Sequence, residues 1–150
     1  MSGILRLLSQ FDVTSLNDRD ILITEGDQTR DLYVLVAGKL EVYKSTKLIT
    51  TISSSGSVVG EMSVLLNSPH TATIKAKGIC SLYRIPDASE FVRNNPDISW
   101  HIANLLAKRL TAATSYLVDK GNQFKESNNH VNLIPEMLET LIMYNERDLV

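Results

Sequence analysis

Apolar residues first recur at helical spacing over residues 4–11, which predicts a short helix or turn there. Asp12 to Asp20 is polar and reads as turn. Leu22-Ile23-Thr24 then leads into Glu25-Gly26-Asp27, a glycine turn flanked by carboxylates. Leu32 to Val36 is a dense apolar run with β-branched and aromatic members. Ala37-Gly38-Lys39 interrupts it, and Leu40 to Lys44 alternates apolar with polar. The pattern predicts two strands joined by a tight glycine turn, a hairpin. Further strands are expected over Leu48–Ile52, Thr71–Ala76 and Ile79–Ile85. Turn signals separate them at residues 53–56, at Ser68-Pro69 and at Lys77-Gly78. Short strands at this spacing point to an antiparallel sandwich or roll.

Between the strands, Gly60-Glu61-Met62-Ser63-Val64-Leu65-Leu66-Asn67 fits about two turns of helix opening on glycine. The second half is helical. Asp87 to Asn94 reads as a short helix, and Pro96 sits where the first turn of a long one begins, a position that tolerates proline. Ile102, Leu106, Leu110, Ala113, Leu117 and Phe124 follow a three–four spacing, interrupted by Lys120. Such a narrow seam suits a homodimer through the long helix, although the same stripe also suits packing on the chain's own β-domain. The expected organisation is a domain over residues 1–120, a polar linker over 121–132 and a last helix over 133–150. Met137, Leu138, Leu141, Ile142 and Tyr144 cluster on one side of that helix. They are expected to dock on their own domain, a dimer mate or another protein.

Composition narrows the classes. Of the 150 residues 43% are hydrophobic and 21% charged, as in globular chains, which argues against wholesale disorder. The formal net charge of -2 gives no sign of the basic face that DNA binding needs. The single cysteine, Cys80, precludes an intramolecular disulfide and fits a buried thiol in a reducing, cytoplasmic setting. No secretory leader or membrane-length apolar run is evident. His70, His101 and His130 lie far apart without metal-ligand spacing, and neither a Gly-x-Ser-x-Gly elbow nor a phosphate-binding Gly-Lys-Ser/Thr loop is present. No enzyme activity, metal or cofactor is therefore expected.

One stretch carries chemistry: residues 56–76, with Gly60-Glu61-Met62-Ser63 and then Pro69-His70-Thr71-Ala72. A glycine lets the backbone turn and lets a ligand approach, and free amides at a helix start favour a phosphate. Glu61 offers acceptors for hydroxyls such as a ribose, and Thr71 adds a hydroxyl. By itself this pattern is equally a packing device.

The stretch resembles the phosphate-binding cassette of the cyclic-nucleotide-binding domain family, the effector domain of catabolite-activator-type proteins. That family shows Gly-Glu-Met/Leu-Ser/Ala followed by Pro-Arg-Thr/Ser-Ala. Glu25-Gly26-Asp27, Leu32 to Leu35 and Gly38 to Tyr43 are similar to its first hairpins. Phe91, Pro96 and Leu105 to Leu110 are similar to its C-terminal helices. The resemblance covers roughly residues 20–118 and implies an α+β fold: an antiparallel β-roll, or double-stranded β-helix of jelly-roll type, with flanking helices and a long C-terminal helix. It implies cyclic AMP or cyclic GMP as ligand, with Glu61 on the ribose, Gly60, Met62 and Ser63 as cassette backbone, and Thr71 and Ala72 on the phosphate side.

The departure is His70, which stands at the family's phosphate arginine. Arginine brings a permanent, often bidentate charge, whereas a neutral histidine offers one donor. Binding is expected to be weakened or altered unless Lys75, Lys77 or Arg84 compensates. The expected role is a sensory or regulatory module that signals through protein contacts. The alternatives are a dimeric interaction scaffold without nucleotide and a truncated transcription regulator. Only about 30 residues follow the long helix, fewer than a winged helix-turn-helix needs, so neither DNA nor membrane is an expected partner.

Overall fold

The structure is a computed structural model and describes residues 3–127. It divides into two compact units at Leu105/Leu106. The first unit opens on α1 (Gly3–Leu7), β1 (Val13–Leu16) and β2 (Ile21–Ile23). The strands β3 (Leu32–Lys44), β4 (Lys47–Ile52) and β5 (Val58–Val59) follow. Then come α2 (Glu61–Leu66), β6 (Thr73–Ile85), α3 (Ser89–Asn94) and the start of α4 (Pro96–Ser127). Every pairing among these strands is antiparallel. The architecture is the antiparallel β-roll with flanking helices and a long C-terminal helix that the sequence predicts.

Two long strands organise it. β3 and β6 pair along most of their length, from Leu32↔Ile85 to Tyr43↔Thr73. β1 and β2 add to successive halves of β6, and β5 and β4 to successive halves of β3. The expected hairpin at Gly38 is thus not formed: residues 32–44 are one bulged strand. Nor do Lys77-Gly78 separate two strands, because β6 runs straight through them.

The bulges explain which residues face the core. From Leu35↔Leu82 to Ala37↔Ser81 the strand β3 advances two residues while β6 advances one. A one-residue insertion turns every later side chain over. Accordingly Tyr33 and Leu35 before the bulge, and Leu40 and Val42 after it, all join one apolar cluster. From Ala37↔Ser81 to Lys39↔Lys77 the excess is two residues on β6, which preserves phase. Ile74, Ala76, Cys80 and Leu82 therefore stay on the same side. Gly38 marks the crossing. At φ +104, a Cβ there would lie 2.6 Å from the Ile79 carbonyl and 2.8 Å from Cys80 Sγ.

Other elements differ from expectation at their edges. The polar stretch Asp12–Asp20 contains β1, a four-residue strand with only half-buried inner positions. Ile102, expected to begin the dimer seam, is 2% exposed within its own chain. It belongs to the core of the first unit, and the His101 imidazole on the same turn of helix bonds the Gly56 carbonyl at 2.7 Å. In the second unit Leu110 is 62% exposed, Ala113 is exposed, and Leu106 and Leu117 are half-buried. The helix continues through Ser127, so residues 121–127 of the expected linker are helical. Residues 128–150, with the expected last helix and its Met137, Leu138, Leu141, Ile142 and Tyr144 face, lie outside the described residues, as does His130.

Candidate functional site

The short helix α2 starts from Gly60 in the left-handed region, φ +86 and ψ 0. A side chain there would meet a backbone: a Cβ would sit 2.7 Å from the Asp31 carbonyl, 3.4 Å from Ile23 and 3.7 Å from His70 Cε1. Only glycine fits a position both strained and crowded. Its neighbour Glu61 is 7% exposed at the first turn, where a carboxylate suits the helix dipole. Ser63 is 1% exposed, while Met62 faces outward at 40%.

The chain after α2 is stitched to the loop before β3. Asn67 ends the helix in the left-handed region, φ 50. The His70 amide donates to the Asp27 carbonyl and the Gly26 amide to the His70 carbonyl, both at 2.8 Å. Thr73 Oγ1 accepts the Glu25 amide, and Lys44 Nζ donates to the Thr71 carbonyl at 2.7 Å while pairing with Glu25 at the same distance. Thr71 is exposed and Ala72 half-buried. Gly60 and His70 are thus neighbours, although ten residues apart in sequence.

His70 is 5% exposed, and its Nε2 is hydrogen-bonded to Thr29 Oγ1 at 2.7 Å. Burial pushes its pKa below the ordinary 6.5, and the Arg30 guanidinium pushes the same way. Asp27 and Asp31 pull weakly upward. The neutral imidazole is thereby favoured.

Sequence reasoning missed the loop partners. Arg30 Nη1 donates to Ser63 Oγ at 2.8 Å and to the Thr29 carbonyl, and Nε donates to Asn67 Oδ1 at 3.0 Å. Ser63 in turn donates to the Thr29 carbonyl. One arginine so ties both ends of α2 to residues 29–30. No local motif signals this, because the partners lie more than thirty residues away. Lys75, Lys77 and Arg84, expected to be able to compensate for a histidine at position 70, have other partners. Arg84 holds Asp31 Oδ2 through Nε and Nη2, at 2.9 and 2.7 Å, Lys77 pairs with Glu41 at 3.4 Å, and Lys75 lies over the Tyr43 ring.

Among the described residues no group of three His, Cys, Asp or Glu side chains is placed to hold a metal ion. No helix among them is long and apolar enough to cross a membrane.

The family model described as the cyclic nucleotide-binding domain matches residues 13–91, just over half of the chain. "Potassium channel AKT1" of Oryza sativa subsp. indica is 28% identical over 85 residues, covering 55% of this chain and 9% of the channel. A Drosophila melanogaster "cGMP-dependent protein kinase, isozyme 2" is 37% identical over 67 residues, covering 45% of this chain and 6% of the kinase. The chain thus spans less than a tenth of the length of these curated relatives. Among solved structures, the Thermus thermophilus Catabolite Activator Protein shares the fold. Its TM-score is 0.64 and its identity 24%, over 76% of this chain and 56% of that one. A structure described as Sp-2Cl-cAMPS bound to PKAR CBD2 superposes with a TM-score of 0.60 at 28% identity, over 81% of this chain and 80% of that one.

Proposed function

The chain belongs to the cyclic nucleotide-binding domain family, and on that premise we propose that it is a regulatory module whose cassette takes a cyclic nucleotide weakly and signals through protein contacts. The observation that carries the reading is the state of His70. Gly60, Glu61 and Ser63 lie at the start of α2, which supports a cassette there, and His70, at the position that the resemblance assigns to the phosphate arginine, is buried, bonded to Thr29 and held by burial below its ordinary pKa. A charge-assisted hydrogen bond contributes about 1.5–3 kcal/mol, so its loss weakens binding by roughly one to two decades. Relatives named for cyclic GMP and for a cyclic AMP analogue both support this ligand class and leave the choice of base open. The exposed Leu110, Tyr116 and Val118 on α4 support an output through helix contacts, with a second copy as the first candidate partner. The reading places the module in the cytoplasm, without catalytic activity and without DNA contacts of its own.

A second reading is a protein-interaction scaffold that has lost its nucleotide. It is favoured by the commitment of Arg84 to Asp31 and of Lys77 to Glu41, which leaves no second cation assigned to the phosphate. Calorimetric titration with cyclic AMP and cyclic GMP separates the two. The regulatory reading expects weak binding that His70→Arg strengthens at least tenfold. Heat from neither nucleotide, with either protein, leaves the scaffold.

A further inference from the structure

On the outer face of the sheet, away from the apolar core, lies a crevice of about 500 Å3, lined by Asp18, Arg19, Glu41, Tyr43 and residues 75–77, that shares no residue with the cassette. Strand alternation builds its walls. With Leu40, Val42, Ile74 and Ala76 turned to the core, Glu41, Tyr43, Lys75 and Lys77 project the other way. Glu41 lies opposite Lys75 in the β3–β6 register. The turn between β1 and β2 closes one side. The Arg19 amide donates to the Ala76 carbonyl and the Ala76 amide to the Asp20 carbonyl, both at 2.9 Å. Asp18 Oδ1 accepts the Gly78 amide at 2.7 Å.

Three cations and two carboxylates therefore surround this space, and both carboxylates are partly satisfied by neutral donors. Glu41 accepts the Tyr43 hydroxyl at 2.8 Å as well as facing Lys77 at 3.4 Å, and Asp18 holds the Gly78 amide. Arg19 and Asp18 stand 3.9 Å apart in solvent, too exposed for a strong pair. Half-buried Lys75 sits 5.1 Å from the centre of the Tyr43 ring and, among the described residues, makes no ion pair. Arg19 itself occupies the left-handed region, φ 68, where a glycine would sit without strain. The two backbone bonds to Ala76 hold that turn regardless. Arg19 is thus fixed by its turn at the rim of the crevice.

We propose that this crevice is a second ligand site, separate from the cyclic-nucleotide cassette, and that it takes a small phosphate ester. Lys75 and Arg19, neither held in a close ion pair, supply charge for the dianion, while Lys77 stays with Glu41 at 3.4 Å, and the volume is that of a small-molecule site. The Tyr43 ring walls the body of the ligand, and Glu41 accepts from its hydroxyls.

The test is amide-shift NMR on the full chain, titrated with glucose 6-phosphate, a phosphoserine peptide and, as the uncharged control, glucose. The expected result is saturable shifts at Arg19, Lys75 and Lys77 with glucose 6-phosphate and none with glucose. Lys75→Gln should weaken the binding about tenfold, as loss of one charge-assisted contact predicts. Arg19→Gly should weaken it too while holding or raising the thermal midpoint, because it relieves the left-handed backbone. That pairing separates a ligand role from a structural one. Absence of saturable shifts overturns the proposal. So do shifts confined to Gly60–Ala72, or an affinity unchanged in Lys75→Gln. Tighter binding of the peptide than of the sugar phosphate overturns the small-molecule assignment.

Discussion

Replacing Gly60 by alanine tests the geometry at the mouth of α2, and Gly26 provides the control. Both glycines have a left-handed backbone, φ +86 and φ +90, but they differ in surroundings. A Cβ on Gly26 meets nothing within 4 Å, whereas one on Gly60 lies 2.7 Å from the Asp31 carbonyl. The backbone there is restrained on both sides. The Asp31 carboxylate is held by Arg84 at 2.7 Å and by the Asp87 amide at 3.1 Å, and the preceding Arg30 carbonyl accepts the Ala88 amide at 2.8 Å. Gly26→Ala therefore carries only the left-handed strain, about 1–2 kcal/mol, partly offset by a less flexible unfolded chain. Gly60→Ala adds overpacking of about 1–3 kcal/mol, for a total of roughly 2–4 kcal/mol. In urea, where small domains lose about 1–3 kcal/mol per molar, the Gly60→Ala midpoint should fall about 1 M below that of Gly26→Ala. Equal midpoints for the two variants would refute the close approach of Gly60 to Asp31.

Two further outcomes follow from the cassette. His70 is buried with a depressed pKa, so the unfolded chain binds its proton first. Its stability contribution is complete above pH 6.5 and is lost as pH falls from 6.5 through the lower folded value. Urea midpoints measured from pH 7.5 to 5 should decline over that window, and His70→Gln should flatten the decline. Arg30→Met removes three hydrogen bonds to the Thr29 carbonyl, Ser63 and Asn67, at a cost of about 1–3 kcal/mol. It also removes a positive neighbour, so the His70 titration followed by NMR should move upward. An unmoved titration would count against the electrostatic contact.

The family and the core were legible because both are written locally. Gly60-Glu61 and Pro69-His70-Thr71-Ala72 carry the family resemblance within a dozen residues, and the apolar runs name the strands. The connection between strands was not legible. Gly38 and Gly78 read as turns, yet glycine serves a bulge as readily, and only the partner strand decides which. The switch of phase between Leu35 and Leu40 is the mark of an odd insertion rather than of a hairpin. β1 was hidden because Val13–Leu16 is an edge strand with half its positions exposed. Ile102 shows a different limit. Helical spacing identifies a stripe without saying which surface covers it, and its first residue is covered by the chain's own core. Thr29 and Arg30 gave no signal at all, because two polar loop residues acquire their role from His70, Ser63 and Asn67, all distant in sequence.

The state of His70 is the centre of the account, and calorimetry on the wild-type chain and His70→Arg tests it most directly. With cyclic AMP and cyclic GMP at pH 7.5, the wild type should bind at least one nucleotide, and His70→Arg should bind it about ten- to a hundredfold more tightly. Wild-type binding as tight as that of His70→Arg would contradict the account, and so would the absence of binding by both proteins.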